Sequence, residues 1–293
     1  MKKVVILGAS GMLGHAVAAV LAEAPVELIL TSRPESSALL PRVGRHVSFD
    51  AMQDDITKLG FGLGEGDYII NCIGIIKPHI HDDNEFERKS ALLVNSLMPH
   101  KLSDYAAEVG ARVIQIATDC VYSGSTGSYS ESSPHDALDV YGKTKSLGEV
   151  PSASMMHLRV STIGPEQGRS TLLLEWVRTQ PSGAQLNGFT DHLWNGVTTK
   201  AFGRIVRGIL ENNNFVPGTH HIVPADIVSK DVLVSAIARA FGRDDISVTP
   251  GKSQKSVDRT LRTDAPEFNE MLWAGAGYRQ IPTIMDLLAE ISA

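Results

Sequence analysis

Tyr141 and Lys145 stand four residues apart in the run Tyr141-Gly-Lys-Thr-Lys145, and Thr118 lies about two dozen residues upstream. On a helix, that spacing puts phenol and ammonium one turn apart on a single face. A phenol with an ordinary pKa of about 10 is a poor acid-base group at neutral pH, and a nearby cation favours its ionised form. The expected chemistry is proton delivery, with Lys145 drawing Tyr141 toward the working range. Isolated Tyr/Lys pairs are common on helices. What gives this pair weight is the order in which a glycine-rich turn, a Thr at a strand end and then the pair occur along the chain.

The glycine-rich turn is Gly8-Ala-Ser-Gly11-Met-Leu-Gly14, which follows the apolar run Lys3 to Leu7 and opens a helical pattern over Leu13 to Ala24. In that setting glycines allow a tight turn, close approach of backbone to a pyrophosphate and close helix packing. The helix start then offers N–H groups and a positive dipole end to phosphate. Expected cofactor contacts are Gly8, Ser10, Gly11, Met12, Leu13 and Gly14, together with Cys72, Ile73 and Gly74 at the end of a later strand. The second strand ends near Ser32 and Arg33, with no acid before Glu35. A ribose 2′-hydroxyl is commonly met by a carboxylate, whereas a 2′-phosphate suits Arg and small hydroxyl residues, so NADP(H) is expected over NAD(H). Asp50 either bonds the adenine or caps a turn.

Apolar runs at Val26 to Thr31, Tyr68 to Ile73, Val113 to Ala117 and Met156 to Val160 alternate with helical patterns at Ser90 to Val109 and Tyr141 to Val150. Continuous Val- and Ile-rich runs suit strands covered on both faces. The fold class expected is α/β, a Rossmann doubly wound parallel sheet with a smaller C-terminal substrate domain. The division is placed at residues 1–163 and 164–293, with segments free to interleave. Helices are expected at Ser170 to Thr179, Thr198 to Leu210, Ser229 to Phe241 and Thr283 to Ile291. Ser123 to Ser133 has the composition of a flexible loop over the site.

The chain of 293 residues is 43% hydrophobic and 20% charged, with a net charge of −6. That balance argues against a broad basic surface for nucleic acid or anionic membrane. No stretch has the length of a membrane span. The N-terminal apolar run is broken by glycines, unlike a signal peptide. The two cysteines, Cys72 and Cys120, sit in apolar segments, so reduced thiols in a cytoplasmic protein are expected. His79-Ile-His81-Asp82-Asp83 lacks the ligand count of a metal site. A pocket or lid role is the better expectation for its histidines.

Ala117-Thr-Asp-Cys-Val-Tyr122-Ser-Gly, Tyr129-Ser-Glu131, Tyr141-Gly-Lys-Thr-Lys145-Ser-Leu-Gly-Glu149 and Leu158-Arg-Val-Ser-Thr-Ile-Gly164 together resemble the extended short-chain dehydrogenase/reductases. The closest resemblance is to the dTDP-4-dehydrorhamnose reductase family. It implies reduction of the 4-keto group of a nucleotide-linked 6-deoxyhexose with a nicotinamide cofactor. It further implies that Thr118 hydrogen-bonds the sugar O4, Tyr141 donates the proton, and Lys145 binds the nicotinamide ribose while lowering the Tyr pKa. Asp119 and Cys120 follow Thr118 where related 4,6-dehydratases carry Asp and Glu, which counts against dehydration. Cys120 resembles the catalytic thiol of epimerase-reductases like GDP-fucose synthase, for which His192, His220 and His221 are candidate partners. A buried structural thiol is the competing reading. A non-catalytic, NADP-binding regulatory subunit is a third alternative, since the regulatory subunit of methionine adenosyltransferase also resembles this family. Trp194 and Asn195 are expected to touch the nucleotide sugar, and Thr198 to cap a helix. Thr162 stands where rhamnose-type reductases often carry Trp. The superfamily often dimerises through the helices over Ser90 to Val109 and Tyr141 to Val150, so a homodimer is expected by analogy.

Overall fold

A computed structural model describes residues 1–168 and 170–292. Six strands form in the first half: β1 (Lys2–Leu7), β2 (Val26–Ser32), β3 (Arg45–Ser48), β4 (Tyr68–Asn71), β5 (Arg112–Ala117) and β6 (Met155–Arg159). With the later strand Gly218–His221 they build one parallel sheet, ordered Gly218–His221, β6, β5, β4, β1, β2, β3. The order reverses between β1 and β4, and there the carboxyl ends of the strands open a crevice for a ligand.

Both faces of this sheet are buried, which explains the unbroken apolar runs. Val4 and Ile6 of β1 face a core shared with α1 (Met12–Leu21). Val5 and Leu7 face a second core built with Met98, Leu102 and Tyr105, as the two-residue period of a strand requires. The helical run expected from Ser90 begins earlier, at α2 (Glu85–Ala91), where Asn84 caps the N–H groups of Phe86 and Glu87. It passes through a π turn at Leu92–Leu97 into α3 (Met98–Val109) and ends at Gly110 with φ +75°. Two of the catalytic candidates, Tyr141 and Lys145, lie on α4 (Val140–Leu147).

Beyond β6, α5 (Leu173–Arg178), α6 (Thr199–Asn212), α7 (Lys230–Ala240), α8 (Pro266–Gly275) and α9 (Ile284–Ser292) follow. Phe202, Ile205, Val206 and Ile209 of α6 pack with Val17, Ala18 and Leu21 of α1. Thus α6 and Gly218–His221 come from the second half yet complete the first sheet and its helical layer. A separate core joins Leu174, Val177, Leu233, Ile237, Ile284 and Leu288 under a small three-stranded sheet. Among the described residues, no helix is long and apolar enough to cross a membrane.

Candidate active site

β1 ends at Leu7 and the chain turns at Gly8 with φ +77°. A Cβ on Gly8 would lie 2.8 Å from Ile73 Cγ1, and one on Gly14 would lie 2.3 Å from Gly8 O. The first position needs glycine for its conformation and the second for the closeness of α1 to the strand end. Thr31, at the end of β2, holds the turn: the Gly8 N–H donates to Thr31 Oγ1 at 3.2 Å and the Ala9 N–H to Thr31 O at 2.9 Å. Gly11 begins α1 without a side-chain cap, so the N–H groups of the first turn are offered outward. Ser10, Met12 and Leu13 complete this turn. Cys72, Ile73 and Gly74 face it across the crevice, where the Cys72 N–H donates to Leu7 O at 3.1 Å. A cradle that a single methyl group would fill fits a dinucleotide pyrophosphate.

At the far end of β2, Ser32 is buried and its hydroxyl donates to Arg33 O at 3.0 Å. Arg33 is half-exposed, with Nε 3.2 Å from Glu35 Oε1. Asp50 accepts from the Met52 N–H at 2.9 Å and from Gln53 Nε2 at 3.2 Å. Of the two uses expected for Asp50, its hydrogen bonds show the turn brace.

Thr118 follows β5. Its Oγ1 accepts from the Cys120 N–H and donates to Asp119 Oδ1, both at 3.2 Å. Opposite it, α4 starts at Asp139, which accepts the Gly142 N–H at 2.8 Å and the Lys77 ammonium at 2.6 Å. A Cβ on Gly142 would lie 2.4 Å from both Cys120 O and Ala137 Cβ, so α4 rests directly on the Thr118 loop. Lys145 Nζ donates to Ile116 O at 2.8 Å, which pins the same helix to β5. Asn95, in the π turn, completes the brace. Its amide bonds both the N–H and the carbonyl of Ile75 at 2.9 Å and reaches Thr144 Oγ1 at 3.3 Å.

The electrostatics depart from the expectation. Burial pushes the Tyr141 phenol well above its ordinary value; the Cys120 thiol adds to this, and hydrogen bonding to Thr118 acts the other way. Burial is the largest effect on the phenol, and Lys145 four residues on does not offset it. Its own ammonium is brought down to about 8 by burial, against the pull of Glu149 and the two thiols. Desolvation therefore outweighs the expected lowering of Tyr141 by Lys145. The consequence is a phenol that stays protonated at neutral pH, the form that donates.

Asp119 and Cys120 line a cleft of about 280 Å³ with Met12, Ser161, Trp194 and Arg259. The Trp194 indole N–H donates to Ser161 Oγ at 2.8 Å, and Thr162 lines the same wall. Asn195 does not reach the cleft as expected. It is buried, and its amide is closed onto Leu261, donating to the carbonyl at 2.6 Å and accepting the N–H at 2.9 Å. Burial, then the Asp119 charge, push the Cys120 thiol up to about 12. Of its three candidate partners, only His192 shares the cleft. His221 is held by Arg159 at 2.7 Å and by Arg262 O at 2.7 Å, and His220 bonds Val216 O at 3.0 Å.

Other residues of the sequence motifs form a brace behind the site. Arg159 is buried and donates to Tyr122 Oη at 2.6 Å and to Glu149 Oε1 at 3.1 Å. Ser123 to Ser133 is a tied turn rather than the flexible loop expected: Tyr129 Oη accepts the N–H groups of Gly124, Ser125 and Thr126 at 3.0–3.2 Å. The Tyr129 ring stacks on Tyr122 with centroids 4.2 Å apart. His81 bonds Glu87 at 2.8 Å at the start of α2, on the surface. Among the described residues, no group of three His, Cys, Asp or Glu side chains is placed to hold a metal. Sequence reasoning missed Asn95, Gly142, Lys230 and Arg259. For Gly142 the signal was present, as a glycine inside a helical run directly after the candidate Tyr141.

A doubly wound sheet with this glycine turn at its switch point, and a Tyr/Lys helix facing a Thr-bearing strand end, is the architecture of the extended short-chain dehydrogenase/reductases, which are NAD(P)-dependent oxidoreductases. The chain belongs to the RmlD substrate binding domain family, whose model matches residues 1–291. It is 25% identical to the spore coat polysaccharide biosynthesis protein SpsK of Bacillus subtilis, over 83% of this chain and 80% of that protein. It is 27% identical to a dTDP-4-dehydrorhamnose reductase of Mycolicibacterium smegmatis, over 87% and 74% of the two chains. A solved dTDP-4-dehydrorhamnose reductase of Bacillus anthracis in complex with NADP shares the fold, with a TM-score of 0.73 at 19% identity over 99% of each chain.

Proposed function

We propose that this enzyme reduces the 4-keto group of a nucleotide-diphospho-6-deoxyhexose with NADPH, in the manner of a dTDP-4-dehydrorhamnose reductase, for synthesis of a surface polysaccharide. The observation that carries the reading is the Tyr141 phenol within hydrogen-bond reach of Thr118, directly before Asp119 and Cys120, which line a cleft shared with Met12 of the glycine turn. In this reading Thr118 and Tyr141 hydrogen-bond the ketone oxygen, and Tyr141 gives up its proton as the oxygen becomes an alcohol. Bound NADPH supplies the hydride. Lys145 holds the nicotinamide ribose, and its ammonium stabilises the phenolate left behind. Trp194, fixed by Ser161, walls the sugar where Thr162 leaves room. Ser32 and Arg33, with no acid at the strand end before Glu35, support NADPH over NADH, with Arg33 exchanging its Glu35 partner for the 2′-phosphate; the NADP complex of the Bacillus anthracis relative is consistent with that preference.

The test is NADPH consumption with dTDP-, UDP- and GDP-linked 4-keto-6-deoxysugars. Oxidation of NADPH with none of them refutes the reading. With the active substrate, Tyr141→Phe is expected to keep NADPH binding and lose about 10²- to 10⁴-fold in kcat.

A further inference from the structure

Two cations in the cleft have no part in the mechanism above. The small sheet places Val228–Ser229 and Val257–Asp258 on either side of His192–Trp194. Lys230 directly follows the first outer strand and Arg259 the second, so both flank the strand that carries Trp194. Both line the cleft with Asp119 and Cys120. Among the described residues, the Lys230 ammonium forms no hydrogen bond and has no carboxylate within ion-pair distance. Arg259 spends Nε on Tyr122 O at 2.8 Å and Nη2 on Ser123 O at 3.3 Å, both neutral carbonyls.

Among the described residues that line the cleft, Asp119 is the one carboxylate, and burial pushes it toward its neutral form; Asp136 and Asp139 also act on Arg259, from outside the lining. The lining of the cleft thus presents two cations and one carboxylate, and Lys230 in particular has no acid within ion-pair distance. Uncompensated charge in a partly desolvated site is costly. The contrast with buried Arg159, which has Glu149 as its counter-ion, is direct. A cleft that keeps such an excess is suited to a ligand that brings the missing negative charge.

We propose that Lys230 and Arg259 form an anion subsite that takes an anionic oxygen group of the sugar nucleotide. This rests on the proposed function, because it assumes that the cleft holds a sugar nucleotide. A sugar ring with C4 at Thr118 and Tyr141 turns its neighbouring substituents toward Asp119 and Cys120 and runs its diphosphate along the same cleft. Lys230 supplies a point charge, and the free Nη1 edge of Arg259 supplies directed donors. The anionic oxygen comes either from the diphosphate or from a carboxylate on the ring.

The full chain, saturated with NADP, is titrated with inorganic pyrophosphate, UDP-glucose, dTDP-glucose and UDP-glucuronic acid. Wild type is compared with Lys230→Met and Arg259→Met, and NADP affinity and thermal unfolding report the integrity of each variant. Loss of one charge-assisted contact is expected to weaken binding tenfold or more. Equal weakening for all three sugar nucleotides, with pyrophosphate binding lost, assigns the subsite to the diphosphate. Weakening confined to UDP-glucuronic acid assigns it to a ring carboxylate. Should Arg259→Met unfold because its carbonyl contacts are lost, Lys230→Met decides alone. Unchanged affinities in the folded variants, or a wild type that binds none of the probes, overturns the subsite. The reductase reading fails separately, when the probes bind and no keto sugar oxidises NADPH.

Discussion

Gly142→Ala is the sharpest test of how the site is held. Gly142 follows Tyr141, and its missing side chain lets α4 sit against the Thr118 loop. The added Cβ would start 2.4 Å from Cys120 O and from Ala137 Cβ, where ordinary contact begins at 3.4 Å, so helix and loop must separate by about 1 Å. Such overpacking costs about 1–3 kcal/mol, and replacing Gly by Ala in a helix returns about 1 kcal/mol. The net loss of stability is about 0–2 kcal/mol, which leaves the enzyme folded. Catalysis has no such offset, because the separation opens between Tyr141 and Thr118, and a 1 Å misplacement of reacting groups costs about 10²-fold, near 2.7 kcal/mol of barrier. The expected result is kcat down about a hundredfold, with NADPH affinity within a few-fold of parental because the glycine turn is untouched. The assay is NADPH oxidation with the active keto sugar, alongside fluorescence titration of NADPH. Lys143→Ala, at an exposed neighbouring position on the same helix, serves as the control. A Gly142→Ala enzyme with parental kcat, or an equal loss in Lys143→Ala, would refute the reasoning.

Arg33→Ala is expected to weaken NADPH about tenfold and NADH hardly at all, because a charge-assisted contact to the 2′-phosphate is lost; superimposable shifts for the two cofactors contradict the assignment. The Lys145 ammonium, brought down to about 8 by burial, is intact below that pH and lost as the pH rises through it, so kcat/KM falls on the alkaline side while Tyr141 stays protonated. A profile level through pH 8, or one with the same alkaline limb in Lys145→Met, argues against this. Arg159→Met strands the Glu149 carboxylate among Tyr122, His135 and His221 and should cost about 3–5 kcal/mol in urea unfolding. A loss below about 1 kcal/mol would show that the brace contributes little.

Local pattern made much of the site legible. The strand, the glycine spacing and the helix that follows Gly8 to Gly14 depend on neighbours in sequence, and so does the helical register of Tyr141 and Lys145. Elements whose residues lack a local signature were not legible. β3 is an edge strand of Arg, His, Val and Ser, with none of the apolar run that marks a covered strand. Gly218–His221 joins the sheet through its pairing with β6 rather than through β propensity. The π turn at Leu92–Leu97 has no period of its own. Asn95 reaches Ile75 within it, and Gly148 leaves room where a Cβ would lie 2.0 Å from Asn95 O.

By itself the sequence determined the sheet's apolar strands, the nucleotide turn and the order of Thr118, Tyr141 and Lys145, because each is written in spacing along the chain. Only the tertiary structure decided that Asn195 braces Leu261 while Trp194 lines the cleft, since Asn195 lies just past the strand His192–Trp194 and its amide is closed by the backbone of a residue 66 positions away. It alone brought Lys230 and Arg259 to Asp119. It also set burial against the expected lowering of Tyr141, for the cost of desolvating a charge depends on everything packed around the group as well as on the residue one turn away.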